Sequence, residues 1–258
     1  MTPKNIKHKL ENLYQRYNQP KYIHPDPVEF LYLYNDVIDR EIVGLIASSL
    51  AYGRVKQILR SVSCVLEMMT PSPHLFLRES THTSMCKAFK GFKHRFANGD
   101  HLASLLLGAK NVIDKYGSLN DCFVRGISDD DRTVIPALNV FATALRAGDI
   151  TPGHLVAVPE KGSACKRMNL FLRWMVRKDG VDPGGWHGVP VSKLVIPLDT
   201  HMHRISLKLG FTAKQQPNMR TALEITNGFR QIVPDDPVKY DFVLTRFGIR
   251  DDMNIDNL

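Results

Sequence analysis

Apolar residues recur at helical spacing through nearly all of this 258-residue chain, and nowhere does a strand-like alternation persist for more than a few positions. Such a pattern offers no sheet to build a core on, so the expected fold class is all-α. Ile6, Leu10, Leu13, Tyr14 and Tyr17 open an amphipathic helix. Asp39-Arg40-Glu41 leads into a run from Ile42 to Ala51 that is apolar on most faces, as in a helix packed inside a core. Further helices are predicted from Val55 to Met69, stopped by Pro71 and Pro73, and from a cap at Asp100 to Tyr116, stopped by Gly117. Another is predicted from Asp131 to Leu145, with Pro136 in its first turn or so. Beyond residue 150, Met168, Phe171, Leu172 and Met175 mark one helix. Met202, Ile205 and Leu209 mark a second ending at Gly210, and Ala222, Ile225, Phe229 and Ile232 a third ending before Pro234. Between them, Lys178 to Pro197 contains Asp182-Pro183-Gly184-Gly185-Trp186-His187-Gly188-Val189-Pro190, which is turn chemistry and cannot continue a helix. The expected organisation is an N-terminal helical region over 1–150 packed on a region over 151–258, the two forming one unit.

Composition narrows the function classes. With 43% apolar and 23% charged residues the chain reads as an ordinary soluble globular protein, and no apolar run approaches the roughly 18–20 residues of a membrane span. The basic start lacks a following apolar segment, so no signal peptide is expected and the cytoplasm is the default compartment. Cysteines at 64, 86, 122 and 165 form no CxxC pair and no metal-ligand spacing. The net charge of +8 favours a polyanionic partner, although many basic proteins bind no nucleic acid.

Two segments hold side chains suited to chemistry. Pro159-Glu160-Lys161-Gly162-Ser163-Ala164-Cys165-Lys166 is a small-residue turn opening into an amphipathic helix, and such a turn exposes backbone N–H groups that suit an anion. On spacing alone, an ordinary loop-to-helix junction is the simpler reading. In Ile196-Pro197-Leu198-Asp199-Thr200-His201-Met202-His203-Arg204-Ile205, Asp199 stands where helical periodicity begins and can act as an N-cap. A capping carboxylate can still face a cleft, so capping and chemistry are compatible.

Together these segments resemble the helix-hairpin-helix, Gly/Pro–Asp DNA glycosylases. Leu198-Asp199-Thr200-His201-Met202-His203-Arg204-Ile205 is similar to that superfamily's Val-Asp-Thr-His-x-x-Arg-Val element, and Gly162-Ser163-Ala164-Cys165-Lys166 to its Gly-x-Gly-x-Lys hairpin. The resemblance implies Asp199 as the catalytic carboxylate, Lys166 as the nucleophile of bifunctional members, and Gly162, Ser163, Ala164, Thr200, His201 and Arg204 as DNA contacts. Asn169 also matches a residue common after the hairpin. Ala164 replaces the second Gly, and its Cβ stands where a phosphate would approach the backbone. Asp199 follows Lys166 by 33 positions (199 minus 166), longer than in the endonuclease III type and similar to the archaeal 8-oxoguanine glycosylase branch. The chain as a whole resembles a bacterial family related to that superfamily. No four-cysteine cluster follows the core, which excludes the iron–sulfur subfamily. The match is most specific over residues 155–250. In the N-terminal half, Ile46 to Tyr52 is similar to the helix before the strand-inserting residue, which makes Tyr52 the insertion or base-pocket residue; core-edge packing is the plainer reading.

The chemistry so implied is base excision repair of double-stranded DNA by a monomer in the nucleoid. The damaged nucleotide, an oxidised purine such as 8-oxoguanine by the branch resemblance, is rotated out of the duplex. Asp199 stabilises positive charge on the sugar, and a neutral Lys166 amine attacks C1′ to give a Schiff base that proceeds to strand cleavage. This needs neither metal nor organic cofactor. Phe171, Trp174, Trp186 and Phe247 are candidates by type for holding the base. Lys87 to Phe96 interleaves cations and aromatics, as a DNA-tracking surface or an ordinary amphipathic segment would. His201 and His203 lie two apart and face different ways on a helix, which argues against a metal site. Two other readings stand beside this one: a helix-hairpin-helix module that binds nucleic acid without chemistry, and a helical scaffold in which Lys166 and Asp199 merely pair.

Overall fold

Prolines and side-chain caps divide the chain into twelve α-helices among the described residues, which are 3–146 and 151–249 of a computed structural model. The first five are α1 (Pro3–Tyr17), α2 (Val37–Ser49), α3 (Val55–Glu67), α4 (Pro73–Glu79) and α5 (His82–Ala88). A hairpin of β1 (Lys93–His94) and β2 (Ala97–Asn98) follows, pairing Lys93 with Asn98 and His94 with Ala97. Then come α6 (Gly99–Tyr116), α7 (Leu119–Val124), α8 (Ile135–Leu145), α9 (Lys166–Val176), α10 (Thr200–Lys208), α11 (Met219–Ile232) and α12 (Asp241–Ile249). The fold is mostly helical, and no described helix is long and apolar enough to cross a membrane.

Local chemistry explains where the boundaries depart from the expected ones. Pro73 does not merely stop α3; it begins α4, where its missing N–H is no loss, behind a Ser72 cap whose Oγ accepts from the Leu75 N–H at 3.1 Å. α6 is capped by Asn98, which accepts from the His101 N–H at 3.0 Å, so Asp100 sits inside the first turn instead of at the cap. α8 starts at Ile135 and not at Asp131, because Pro136 fits only the first turn of a helix. α12 was not expected at all. Asp241 and Arg246, both buried, interrupt its apolar sequence and hide the stripe that periodicity would detect.

The core is continuous across both halves of the chain. α2 is buried continuously from Glu41 to Ser49 and lies against α9, and Gly44 sets their separation: a Cβ there would stand 3.2 Å from the Phe171 ring and 3.3 Å from the Met175 sulfur. No separate core exists on either side of residue 150 among the described residues.

The segment between α9 and α10 is a strap bound at several points. Its Gly184 and Trp186 N–H groups donate to the Trp174 and Met175 carbonyls at 3.0 and 2.8 Å. The Trp186 indole N–H donates to Glu41 Oε2 on α2 at 2.8 Å. Asp182, fully buried, pairs with Arg173 of α9 and with Arg177, the residue that caps its C-terminal end. These contacts tie the strap to α9 and α2 and return the chain to the start of α10.

Candidate active site

A cleft of about 1170 Å³ runs between the two halves. Its walls come from Pro25 to Pro27, from the turn after α2 around Tyr52, and from the first residues of α9, α10 and α12. Of the strap, only its last three residues, Pro197 to Asp199, line it, and the rest braces α9.

Lys166 and Asp199 meet in this cleft. Lys166 is the first residue of α9 and Asp199 the N-cap of α10. The Lys166 Nζ lies 3.5 Å from Asp199 Oδ2 and 3.4 Å from the Ala51 carbonyl oxygen at the end of α2. The carboxylate divides its work between two oxygens. Oδ1 accepts from the His201 and Met202 N–H groups at 2.9 and 2.8 Å, and Oδ2 is left to face the amine. Capping thus fixes the rotamer of the group that faces the cleft. Both side chains keep partial access to solvent, 33% for Lys166 and 19% for Asp199.

The turn before α9 departs from the hairpin pattern in an informative way. Gly162 takes a left-handed φ of 78° and stands open, with no atom within 4 Å of a hypothetical Cβ. Ala164, at the second-glycine position, has no such φ; the left-handed position falls on Cys165 instead, at 47°. A non-glycine residue there costs about 1–2 kcal/mol. Ser163 pairs with Asn218 in an isolated bridge, and the Asn169 amide donates to the Ala164 carbonyl at 3.1 Å, tying the turn to its own helix. Gly162 and Ser163 are exposed, whereas Ala164 is buried against the cleft.

The floor of the cleft is charged, which the sequence reading missed. Asp241 and Arg246 of α12 and Arg173 of α9 line it, each no more than 2% exposed. Arg173 pairs with Asp241 and with Asp182, and Arg246 pairs with Asp26. Burial pushes the Asp241 carboxyl up to about 6 against the pull of Arg173, and the negative charge of Asp199 adds to the rise. Asp241 Oδ1 and the Nε and Nη1 of Arg246 have no hydrogen-bond partner among the described residues. A buried acceptor and two buried donors left open beside a cleft are what a polar ligand would satisfy. Two charges inside the apolar run from Tyr240 to Phe247 were the available signal.

The remaining expected site residues separate into two groups. Thr200 and His201 line the cleft, whereas Arg204 is exposed on α10 outside it, and His203 turns to the Lys214 carbonyl at 2.8 Å. Tyr52 is on the cleft wall, but its hydroxyl donates to the His94 carbonyl at 2.9 Å and lies 2.9 Å from His154 Nε2. Arg167 covers its ring, 4.8 Å from the centroid. A ring held on three sides supports its neighbours and is not free to enter DNA, which corrects the insertion role. Burial, reinforced by nearby arginines, holds His94 and His154 below the usual imidazole range. Phe171 and Trp186 are corrected as well: their rings pack against each other at 5.0 Å in the core, with Phe123 and Phe141, and do not face the cleft. Trp174 is fully buried, and Phe247 lies edge-on to Tyr17.

Comparison with known proteins adds one match. Neither the curated proteins nor the solved structures contain a match to this chain. A family model described as "Protein of unknown function (DUF2400)" matches residues 26–250, a span that takes in the cleft, the amine, the carboxylate and the strap, and the chain belongs to that family.

Proposed function

We propose that this protein is a DNA base-excision repair glycosylase with lyase activity, of the helix-hairpin-helix type, acting as a monomer on an oxidised purine in duplex DNA. The observation that carries the reading is the approach to 3.5 Å of one amine and one carboxylate that stand 33 positions apart in the chain, inside a cleft large enough for a nucleotide. A surface salt bridge needs no cleft and no capped carboxylate, so the scaffold alternative leaves this geometry without a purpose.

In the proposed reaction the damaged nucleotide rotates out of the duplex into the cleft. As the bond between C1′ and the base nitrogen breaks, the base departs with the bonding electron pair and takes up a proton, while Asp199 Oδ2 faces the growing positive charge on the sugar. The Lys166 amine attacks through its nitrogen lone pair, forms the new bond to C1′ and gives up a proton. Opening of the sugar ring gives a Schiff base between Nζ and C1′. Loss of a C2′ proton and expulsion of the 3′-phosphate then cut the strand. The open polar atoms of Asp241 and Arg246 suit the edge of a base that carries both N–H donors and carbonyl acceptors.

Borohydride trapping tests the proposal. Duplexes carrying 8-oxoguanine, other oxidised bases or a natural abasic site are incubated with the protein and reduced, and hydride addition to the Schiff base fixes a covalent complex. The wild type is expected to trap at least one of them and Lys166→Gln none. Trapping that survives Lys166→Gln overturns the nucleophile assignment. Tight, salt-sensitive duplex binding without trapping assigns a binding module instead.

A further inference from the structure

The hairpin of β1 and β2 stands beside the cleft wall and carries, at its tip, the most exposed of the large apolar side chains among the described residues. Phe96 is 74% exposed and follows Arg95 in the two-residue turn between His94 and Ala97. Resting on the duplex-DNA reading above, we propose that Phe96 is a wedge that enters the base stack and fills the space vacated by an extruded nucleotide.

The base of the hairpin is fixed, and at its tip the Phe96 ring meets the His154 ring edge-on, 6.4 Å between centroids, with most of its surface in solvent. His94 is fully buried, with Nδ1 2.9 Å from Ser61 Oγ and Nε2 3.1 Å from the Tyr52 carbonyl. The Tyr52 hydroxyl closes the same joint from the other side by donating to the His94 carbonyl. Arg95 is held at a left-handed φ of 52°, and its Cδ lies 2.9 Å from where a Cβ of Gly53 would stand, so Gly53 makes room for the turn. The chain links this joint to the chemistry directly: Ala51, whose carbonyl the Lys166 amine contacts, precedes Tyr52.

The surroundings select nucleic acid over a protein partner. Lys90, Lys93 and Arg95 are exposed and line one shallow depression with Phe96, where Asp100 is the single acidic group, and the Arg95 guanidinium lies 5.5 Å from the Phe96 ring centroid. None of the other exposed large hydrophobics (Tyr32, Leu33, Val37, Met68 and Val140) is on the hairpin. A protein-docking patch is contiguous and apolar, whereas one planar ring among cations suits a base step between two phosphate backbones. Tyr52, expected from sequence to insert, becomes the prop beneath the residue that does.

The probe is a duplex with a tetrahydrofuran abasic analogue and 2-aminopurine in the opposite strand, where unstacking raises fluorescence. Wild-type protein is expected to raise it at least threefold. Phe96→Ala, an exposed position that leaves the core intact, should bind with an affinity within about tenfold and abolish the rise, and Phe96→Trp should retain it. An equal rise with Phe96→Ala, or no binding of this duplex by the wild type, overturns the proposal. The readout needs no turnover, so a fluorescence change without borohydride trapping would sink the glycosylase chemistry while leaving the wedge standing.

Discussion

The two oxygens of Asp199 allow its structural and chemical roles to be separated by two substitutions. Asparagine is as good an N-cap as aspartate, because its amide oxygen can keep accepting from the His201 and Met202 N–H groups. Alanine removes that acceptor at a cost of about 1 kcal/mol, which in a protein of this size lowers Tm by about 2–4 °C. Asp199→Asn should therefore melt within about 1 °C of the wild type by calorimetry. Activity divides differently. A sugar cation as close to Oδ2 as the Lys166 amine now is, at 3.5 Å, would gain about 5 kcal/mol at an effective dielectric near 20. Partial solvent access roughly halves that gain, leaving 2–3 kcal/mol, or about a hundredfold in rate. Both variants should lose at least that factor in single-turnover excision from whichever lesion duplex the wild type traps. Excision by Asp199→Asn within fivefold of wild type would refute the reasoning, since the charge would then have no part in the reaction. A Tm loss as large in Asp199→Asn as in Asp199→Ala would refute the capping half.

Glu41 offers a test of the scaffold that braces the site. Its carboxylate accepts from the Leu119 and Asn120 N–H groups at 2.7 and 3.1 Å and from the Trp186 indole, and burial pushes it up to about 7 despite those bonds. A folded value above the unfolded one means that the native state binds more protons between about pH 4.5 and 7. Stability therefore falls as pH rises through that window, by up to about 3 kcal/mol from this group. The difference in ΔG between wild type and Glu41→Gln, followed by urea unfolding, should shift in that direction over that range. At pH 5, where the protonated group carries no charge penalty, Glu41→Ala strands three buried donors and should cost about 3 kcal/mol. Arg54, exposed at the cleft rim, is expected to contact a phosphate, so Arg54→Gln should make the slope of log K against log salt shallower by about 0.9 in duplex-binding titrations.

The sequence revealed most about the fold where a single helix carries its own signals. The stripe of Met168, Phe171, Leu172 and Met175 and the cap at Asp199 both sit where periodicity and capping chemistry put them, because these are properties of neighbouring residues. The meeting of Lys166 with Asp199 was legible only through a motif resemblance, since nothing within either segment specifies the other. α12 was invisible for a physical reason: its charges are buried by tertiary pairing with Arg173 and Asp26, so its polar residues do not mark a solvent face. Aromatic residues misled in the same way. Trp186 lies in a Gly- and Pro-rich segment that reads as a surface loop, yet its indole finds a buried carboxylate on α2. Phe96 looked like one member of an amphipathic run with Phe89, yet Phe89 is buried at the end of α5 and Phe96 stands exposed in the hairpin turn.

The position of Asp199 as a helix cap, delivered by a braced strap, has a consequence for the life of the chain. Until the strap has docked and α10 has formed, the amine of Lys166 is an ordinary lysine with nothing opposite it. On the proposed chemistry, Schiff-base formation would then be absent from nascent or partly opened molecules. A mild loosening of the strap should silence the protein well before it melts.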